Sequence, residues 1–116
     1  MKAVVYEEYA PDDNYKRILK VKDISEPKPK PDEVVFKVKA AALNYNDIWG
    51  MRGQPVAVPL PHVSGSDAAG EVIAVGEDVT NFKVGDRVVS HSNMSCRVCS
   101  ACTDGREFDC IKRTIW

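Results

Sequence analysis

Cys96, Cys99, Cys102 and Cys110 follow one another as C-x2-C-x2-C-x7-C, the most specific pattern in the chain. Four thiolates this close together can surround one zinc ion tetrahedrally, and four sulfur ligands leave it no open position. Such a site holds a loop together and does no chemistry. Two disulfides, with three possible connectivities, and a redox C-x-x-C are the competing readings. Met1–Tyr6 opens with a charge and an alternating apolar run rather than a secretory leader. A cytoplasmic location is therefore expected, and thiols stay reduced there, which favours metal over disulfide. A redox pair would not need four cysteines. Arg97, Arg106, Lys112 and Arg113 flank the cluster, either softening its negative charge or simply solvated.

The remaining polar residues must supply any reaction. His62 and His91 match no multi-ligand spacing and read as loop histidines. No G-x-G-x-x-G follows a predicted strand, and Gly65 and Gly70 lack the lysine and hydroxyl of a phosphate loop. The chain by itself has no recognisable nucleotide site. A formal net charge of −1 gives no attraction for nucleic acid, and no apolar stretch is long enough to cross a bilayer.

The elements that position these residues are mostly strands. The 116 residues suffice for one small domain. Met1–Glu7 alternates. Tyr15–Asp23 reads as a strand with Leu19 and Val21 on one face and Lys20 and Lys22 on the other. The alternate prolines from Pro27 to Pro31 predict a stiff extended linker. Glu33–Leu43 is the clearest strand, with Val34, Phe36, Val38 and Ala40 facing a core. Asn44–Met51 then predicts a short helix, capped by Asn44, with Asp47 in its first turn and Gly50 or Gly53 to end it. Pro55–Pro61 is a loop. Gly65–Val75 is a strand in which Gly70 permits a bend or close approach. Gly76–Thr80 and Gly85–Asp86 are turns, and Arg87–Ser90 is a further strand. The expected fold is a mainly β, partly open barrel of roughly six strands with one short helix and a four-cysteine zinc lobe. Ile111–Trp116 returns to an apolar-basic pattern and then stops, as a cut through a larger protein would.

Taken in order, Ala42-Leu43-Asn44-Tyr45-Asn46-Asp47, Pro61-His62-Val63-Ser64-Gly65-Ser66-Asp67-Ala68-Ala69-Gly70-Glu71-Val72, Val75-Gly76, Val84-Gly85-Asp86-Arg87-Val88 and the four cysteines resemble the medium-chain alcohol dehydrogenase superfamily. The resemblance covers essentially the whole chain. It implies that residues 1–116 are a GroES-like N-terminal domain, that the Rossmann domain binding NADH or NADPH lies outside this chain, and that the full-length protein forms a homo-oligomer. It carries structural zinc onto Cys96, Cys99, Cys102 and Cys110. It does not carry a catalytic zinc: this chain has Asn44 where zinc-dependent members have cysteine, Ser66 where they have histidine, and Asp67 where glutamate often follows. An amide and a hydroxyl are poor zinc ligands beside thiolate and imidazole. The combination resembles the zinc-less branch of quinone oxidoreductases and enoyl-thioester reductases. With Arg113-Thr114-Ile115-Trp116 it is most similar to crotonyl-CoA reductase-type enzymes, from which it departs in keeping all four cysteines.

Without a Lewis acid an activated alkene is easier to reduce than an alcohol is to oxidise. Hydride adds at the β-carbon, and the charge moves onto a carbonyl oxygen that hydrogen-bond donors can stabilise. By their place in the motif, Asn44, Tyr45, Asn46, Ser66 and Asp67 are the candidate catalytic residues, and Asn44, Tyr45 and Asn46 the candidate lining of a nicotinamide cleft for a small-molecule substrate. The plainer readings are that Asn44 only caps a helix, Tyr45 and Trp49 only fill space, Asp47 only complements the helix dipole and Asp67 only serves a turn. Two alternatives remain beside the alkene reductase: an alcohol dehydrogenase with a rearranged zinc site using Asp67, and a zinc-stabilised binding module without activity.

Overall fold

The computed structural model of the chain describes residues 1–55 and 57–115. Val56, in the predicted Pro55–Pro61 loop, and Trp116, closing the predicted terminal pattern, lie outside the described residues.

Three antiparallel sheets account for the described strands. In the first, β1 (Lys2–Tyr6) sits between β2 (Lys20–Asp23) and β4 (His62–Val63); in the second, β5 (Asp67–Val75) sits between β3 (Val34–Ala42) and β6 (Arg87–Val89). The third is a ribbon of β7 (Asn93–Met94) and β8 (Thr114–Ile115). Helices α1 (Tyr15–Ile18), α2 (Tyr45–Arg52) and α3 (Ser100–Thr103) are short, and a 3₁₀ turn spans Glu107–Asp109. The mainly β expectation holds, with eight described strands rather than six and two helices beyond the one expected. The ribbon escaped the sequence because two-residue strands carry no period.

The predicted Tyr15–Asp23 strand is a correction. Its first half is α1, closed by Leu19 N–H on Tyr15 C=O, which drives Ile18 into the core beside Tyr6, Ala10 and Met51. Leu19 and Val21 are not a buried face: Val21 is 70 % exposed while Lys22 is half-buried. β2 is an edge strand, and its Lys22 reaches across β1 to Glu7 at 2.5 Å.

β3 also departs from its expected alternation. Val34 and Phe36 are half-buried, but Val38 is 54 % exposed and Ala40 is exposed too. The register against β5 shifts between Val35 and Phe36 and again between Val38 and Ala40. Each such irregularity changes which face the following side chains take. Gly70 is required opposite it: a Cβ there would lie 2.1 Å from Lys37 O.

Helix α2 forms as predicted. Gly53, not Gly50, ends it in the left-handed region at φ 74°, its N–H returning to Trp49 O at 2.9 Å. Gly50 lies inside the helix, where a Cβ would sit 3.0 Å from the Tyr6 hydroxyl. The helix therefore packs tightly on β1, with Ile48 and Met51 joining the core.

Candidate functional site

The site is built where β3 turns into α2 and meets the segment entering β5. Asn44 is extended (φ −127°, ψ 163°), so it ends the strand and caps the helix: Oδ1 accepts Tyr45 N–H at 2.7 Å. Asp47 completes a capping box, accepting Asn44 N–H on Oδ2 at 2.8 Å. The other carboxylate oxygen, Oδ1, accepts the Ser64 hydroxyl at 2.8 Å and Gly65 N–H at 2.9 Å. Asp47 is only 7 % exposed, and three donors satisfy it. It does more than complement the helix dipole, because it fastens the start of α2 to the loop before β5.

Asn44 also reaches across to that loop, where Nδ2 donates to Asp67 Oδ2 at 3.1 Å. Between the Asp47 contacts and Asp67 lies Ser66, 3 % exposed, with no partner for its hydroxyl among the described residues. Its carbonyl accepts the Ser90 hydroxyl at 2.8 Å. Of the sequence candidates, Asn44 and Asp67 are thus brought into contact, with Ser66 next to Asp67 along the chain. Asp47, Ser64 and Ser90 join them, unmarked as partners in the sequence.

Tyr45 and Asn46 follow on the first turn of α2. Asn46 is half-buried. Tyr45 is 58 % exposed and lies edge-on to Trp49, with ring centroids 5.5 Å apart. The Arg52 guanidinium carbon is 6.0 Å from the Tyr45 ring centre. The spacing of three to four residues puts Tyr45, Trp49 and Arg52 on one helix face. Trp49 and Arg52 line an open groove with Gln54 and Pro55. Arg52 is held by a fork onto Asp13 (2.5 and 2.8 Å). The guanidinium, with the Tyr15 hydroxyl next, holds the Asp13 carboxyl down at about 2.

His62 is not a loop histidine. It lies in β4, opposite Tyr6, and the two rings tilt at 60° with centroids 5.4 Å apart. Burial pushes its pKa down, against the opposing charge of Asp47. Burial, then the negative charge of Tyr9 and Asp47, pushes Tyr6 up to about 12. His91 does lie outside the strands, its Nδ1 2.9 Å from Asn93 O.

The four cysteine sulfurs converge, all lying within 4.8 Å of one another. Cys99 and Cys102 are 3.5 Å apart and Cys96 and Cys102 4.0 Å apart. A zinc–sulfur tetrahedron has edges of about 3.8 Å, so the cluster fits such an ion, whereas a disulfide needs about 2 Å. Backbone amides point at the sulfurs: Cys99 N–H to Cys96, and Cys96 N–H and Lys112 N–H to Cys110. Amides of Val98, then Cys99, hold the Cys96 thiol down at about 6, whereas burial pushes Cys102 up to about 11. Neighbouring thiolates repel, and a bound cation removes that conflict. The β7–β8 ribbon brackets this lobe. Among the described residues, no second group of three or more His, Cys, Asp or Glu ligands gathers.

The chain belongs to the alcohol dehydrogenase GroES-like domain family, which it matches over residues 30–116. It is 37 % identical to an acryloyl-coenzyme A reductase of Metallosphaera sedula over 113 residues, covering 97 % of this chain and 32 % of that protein. Its structure superposes on an NAD-dependent alcohol dehydrogenase with a TM-score of 0.87 and 40 % identity, over 99 % of this chain and 33 % of the other. A crotonyl-CoA carboxylase/reductase gives 0.85 and 30 % identity, over 100 % and 28 %. The chain therefore spans about a third of the length of the curated relatives it matches. No described helix is long and apolar enough to cross a membrane.

Proposed function

We propose that residues 1–116 are the N-terminal, substrate-side domain of a two-domain NAD(P)H-dependent oxidoreductase that reduces an activated alkene, of enoyl-thioester or quinone type, without a catalytic metal. The observation that carries this reading is the buried Ser66 hydroxyl, unpartnered among the described residues, beside the Asn44–Asp67 hydrogen bond. A buried donor without a partner is costly unless a ligand completes it. Ser66 meets the carbonyl oxygen of the substrate and stabilises the charge that gathers there. Asp67 orients the Asn44 amide, which with Tyr45 and Asn46 forms one wall of a nicotinamide cleft. The exposed amide and flat ring suit a carboxamide-bearing aromatic ring. When bound, the nicotinamide supplies a hydride to the β-carbon. Tyr45 carries the only transferable proton among those three side chains. The cysteine lobe holds a structural zinc. Relatives named as acryloyl-coenzyme A reductase and crotonyl-CoA carboxylase/reductase support the thioester class.

The test is NADPH and NADH oxidation by the intact protein, with acryloyl-CoA or crotonyl-CoA against a quinone and a simple alcohol. Turnover of a thioester or quinone, and none of the alcohol, is expected. On this reading the cofactor domain lies outside residues 1–116, so these residues alone should turn over nothing. A second reading, an alcohol dehydrogenase with a rearranged metal site, draws on the 40 % identity to an NAD-dependent alcohol dehydrogenase. Preferred oxidation of the alcohol would establish it instead.

A further inference from the structure

Ser90 lies one residue beyond β6, where the pairing with β5 stops. The ladder runs through Ala69 opposite Val89, so Ala68 and Ser90 would form the next rung. Half of that rung is ordinary, with Ser90 N–H donating to Ala68 C=O at 2.8 Å. The return bond is not: Ala68 N–H donates to the Ser90 hydroxyl oxygen at 2.9 Å, rather than to a backbone carbonyl. The same hydroxyl gives its single proton to Ser66 C=O at 2.8 Å. A hydroxyl can do both at once because it has one donor and two acceptor positions. Ser90 therefore grips the backbone on both sides of Asp67, at Ser66 and at Ala68. Just upstream, Asp47 grips Ser64 and Gly65. The main chain around Ser66 is fixed by other side chains, while the Ser66 hydroxyl is left without a partner among the described residues.

We propose that Ser90 is a positioning residue of the site, its hydroxyl acting through the Ser66 carbonyl and the Ala68 amide to set where the Ser66 hydroxyl points. The inference rests on the reading that this hydroxyl meets the reacting carbonyl oxygen. The side-chain rung has a structural purpose as well, since it lets the chain leave the sheet at Ser90 toward the cysteine lobe. A purely structural role and a positioning role therefore predict different outcomes.

The experiment compares the intact wild-type protein with Ser90→Ala, Ser90→Thr, Ser66→Ala and the Ser66→Ala/Ser90→Ala double variant. Steady-state reduction of crotonyl-CoA by NADPH is measured, together with amide hydrogen exchange. Ser90→Ala should lower kcat about ten-fold with KM changed less than about two-fold, the size of one lost hydrogen bond felt in the transition state. Ser90→Thr, which keeps the hydroxyl, should restore kcat. The double variant should be no slower than Ser66→Ala, because the two residues act as one unit. Exchange at Ala68 N–H should rise about ten-fold or more in Ser90→Ala while that at Val72 stays unchanged. If Ser66→Ala lowers kcat but Ser90→Ala does not, despite loss of Ala68 protection, the positioning role is overturned and the functional reading stands. If Ser66→Ala leaves kcat unchanged, or the wild type reduces neither a thioester nor a quinone, the reading of Ser66 fails and Ser90's role fails with it.

Discussion

Asp47 shows how one residue can be read correctly from sequence and still be underestimated. An acid in the first turn of a helix is legible from its position. Its partners Ser64 and Gly65 are 17 and 18 residues away, and nothing periodic links them to it. The same holds for Ser90 and Ser66, 24 residues apart. Asn44 was legible as a cap, and the structure adds its bond to Asp67. The cap and site readings are therefore compatible, since opposite ends of one amide serve them. Asp47→Ala would leave three donors without an acceptor. The expected loss is about 3 kcal/mol of unfolding free energy, read as a lower urea midpoint at unchanged slope. Asp47→Asn keeps an acceptor for Ser64 and Gly65 but turns an amide toward Asn44 N–H, so its loss should fall between wild type and Asp47→Ala.

At the scale of elements, the sequence was most reliable where one signal acted alone. The α2 cap, its Gly53 stop and the close approach at Gly70 are local steric facts, and all three appear in the structure. Periodicity failed where it competed with something it cannot see. Register shifts broke the alternation of β3, and burial of Ile18 turned the start of the expected Tyr15–Asp23 strand into α1. The tie between α2 and the turn before α1 is ionic and gives a pH test. Asp13 titrates at about 2 in the fold against an ordinary value of 3.8, because Arg52 favours its charged form. A depressed carboxyl stabilises the fold above its unfolded value, and that stabilisation is lost as pH falls through the folded one. Asp13 has φ 61°, which asparagine tolerates, so Asp13→Asn removes the charge without backbone strain. Its urea midpoint should lie below wild type at about pH 6, and the gap should narrow from about pH 5 and close by about pH 1. A gap that persists undiminished at about pH 1 would show that the Arg52 pair is not its source.

The whole molecule is thinner than its length suggests. Its radius of gyration is 15.7 Å, against about 13 Å for a compact domain of this size, and its shortest extent is 20 Å. Among the described side chains, the largest fully buried ones are Tyr6, Ile18 and Val72, while Leu43, Val89 and Ile111 are more than three-quarters exposed. A core this small gives the cysteine lobe little support: its buried residues are Ala101, Cys102 and Cys110. The proposed structural zinc would supply most of the lobe's cohesion, since binding free energy at such a site is folding free energy. The expected content is one zinc per chain. Removing it with a chelator should abolish amide protection from Cys96 to Cys110 while leaving that of β5 in place, because β5 draws its hydrogen bonds from β3 and β6. Cys102→Ser should reproduce the chelated pattern and bring the content to none. The count also separates the functional readings. A second zinc lost with Asp67→Ala would place a metal beside Asn44 and revive the dehydrogenase reading, with His62 the next ligand to replace. One zinc, lost only with the cysteines, leaves the Ser66 hydroxyl and the Asn44 amide to meet the substrate without a metal. No zinc in protein with intact thiols would overturn the closed lobe itself, and the protection across Cys96–Cys110 would then rest on the backbone hydrogen bonds of α3 and the 3₁₀ turn.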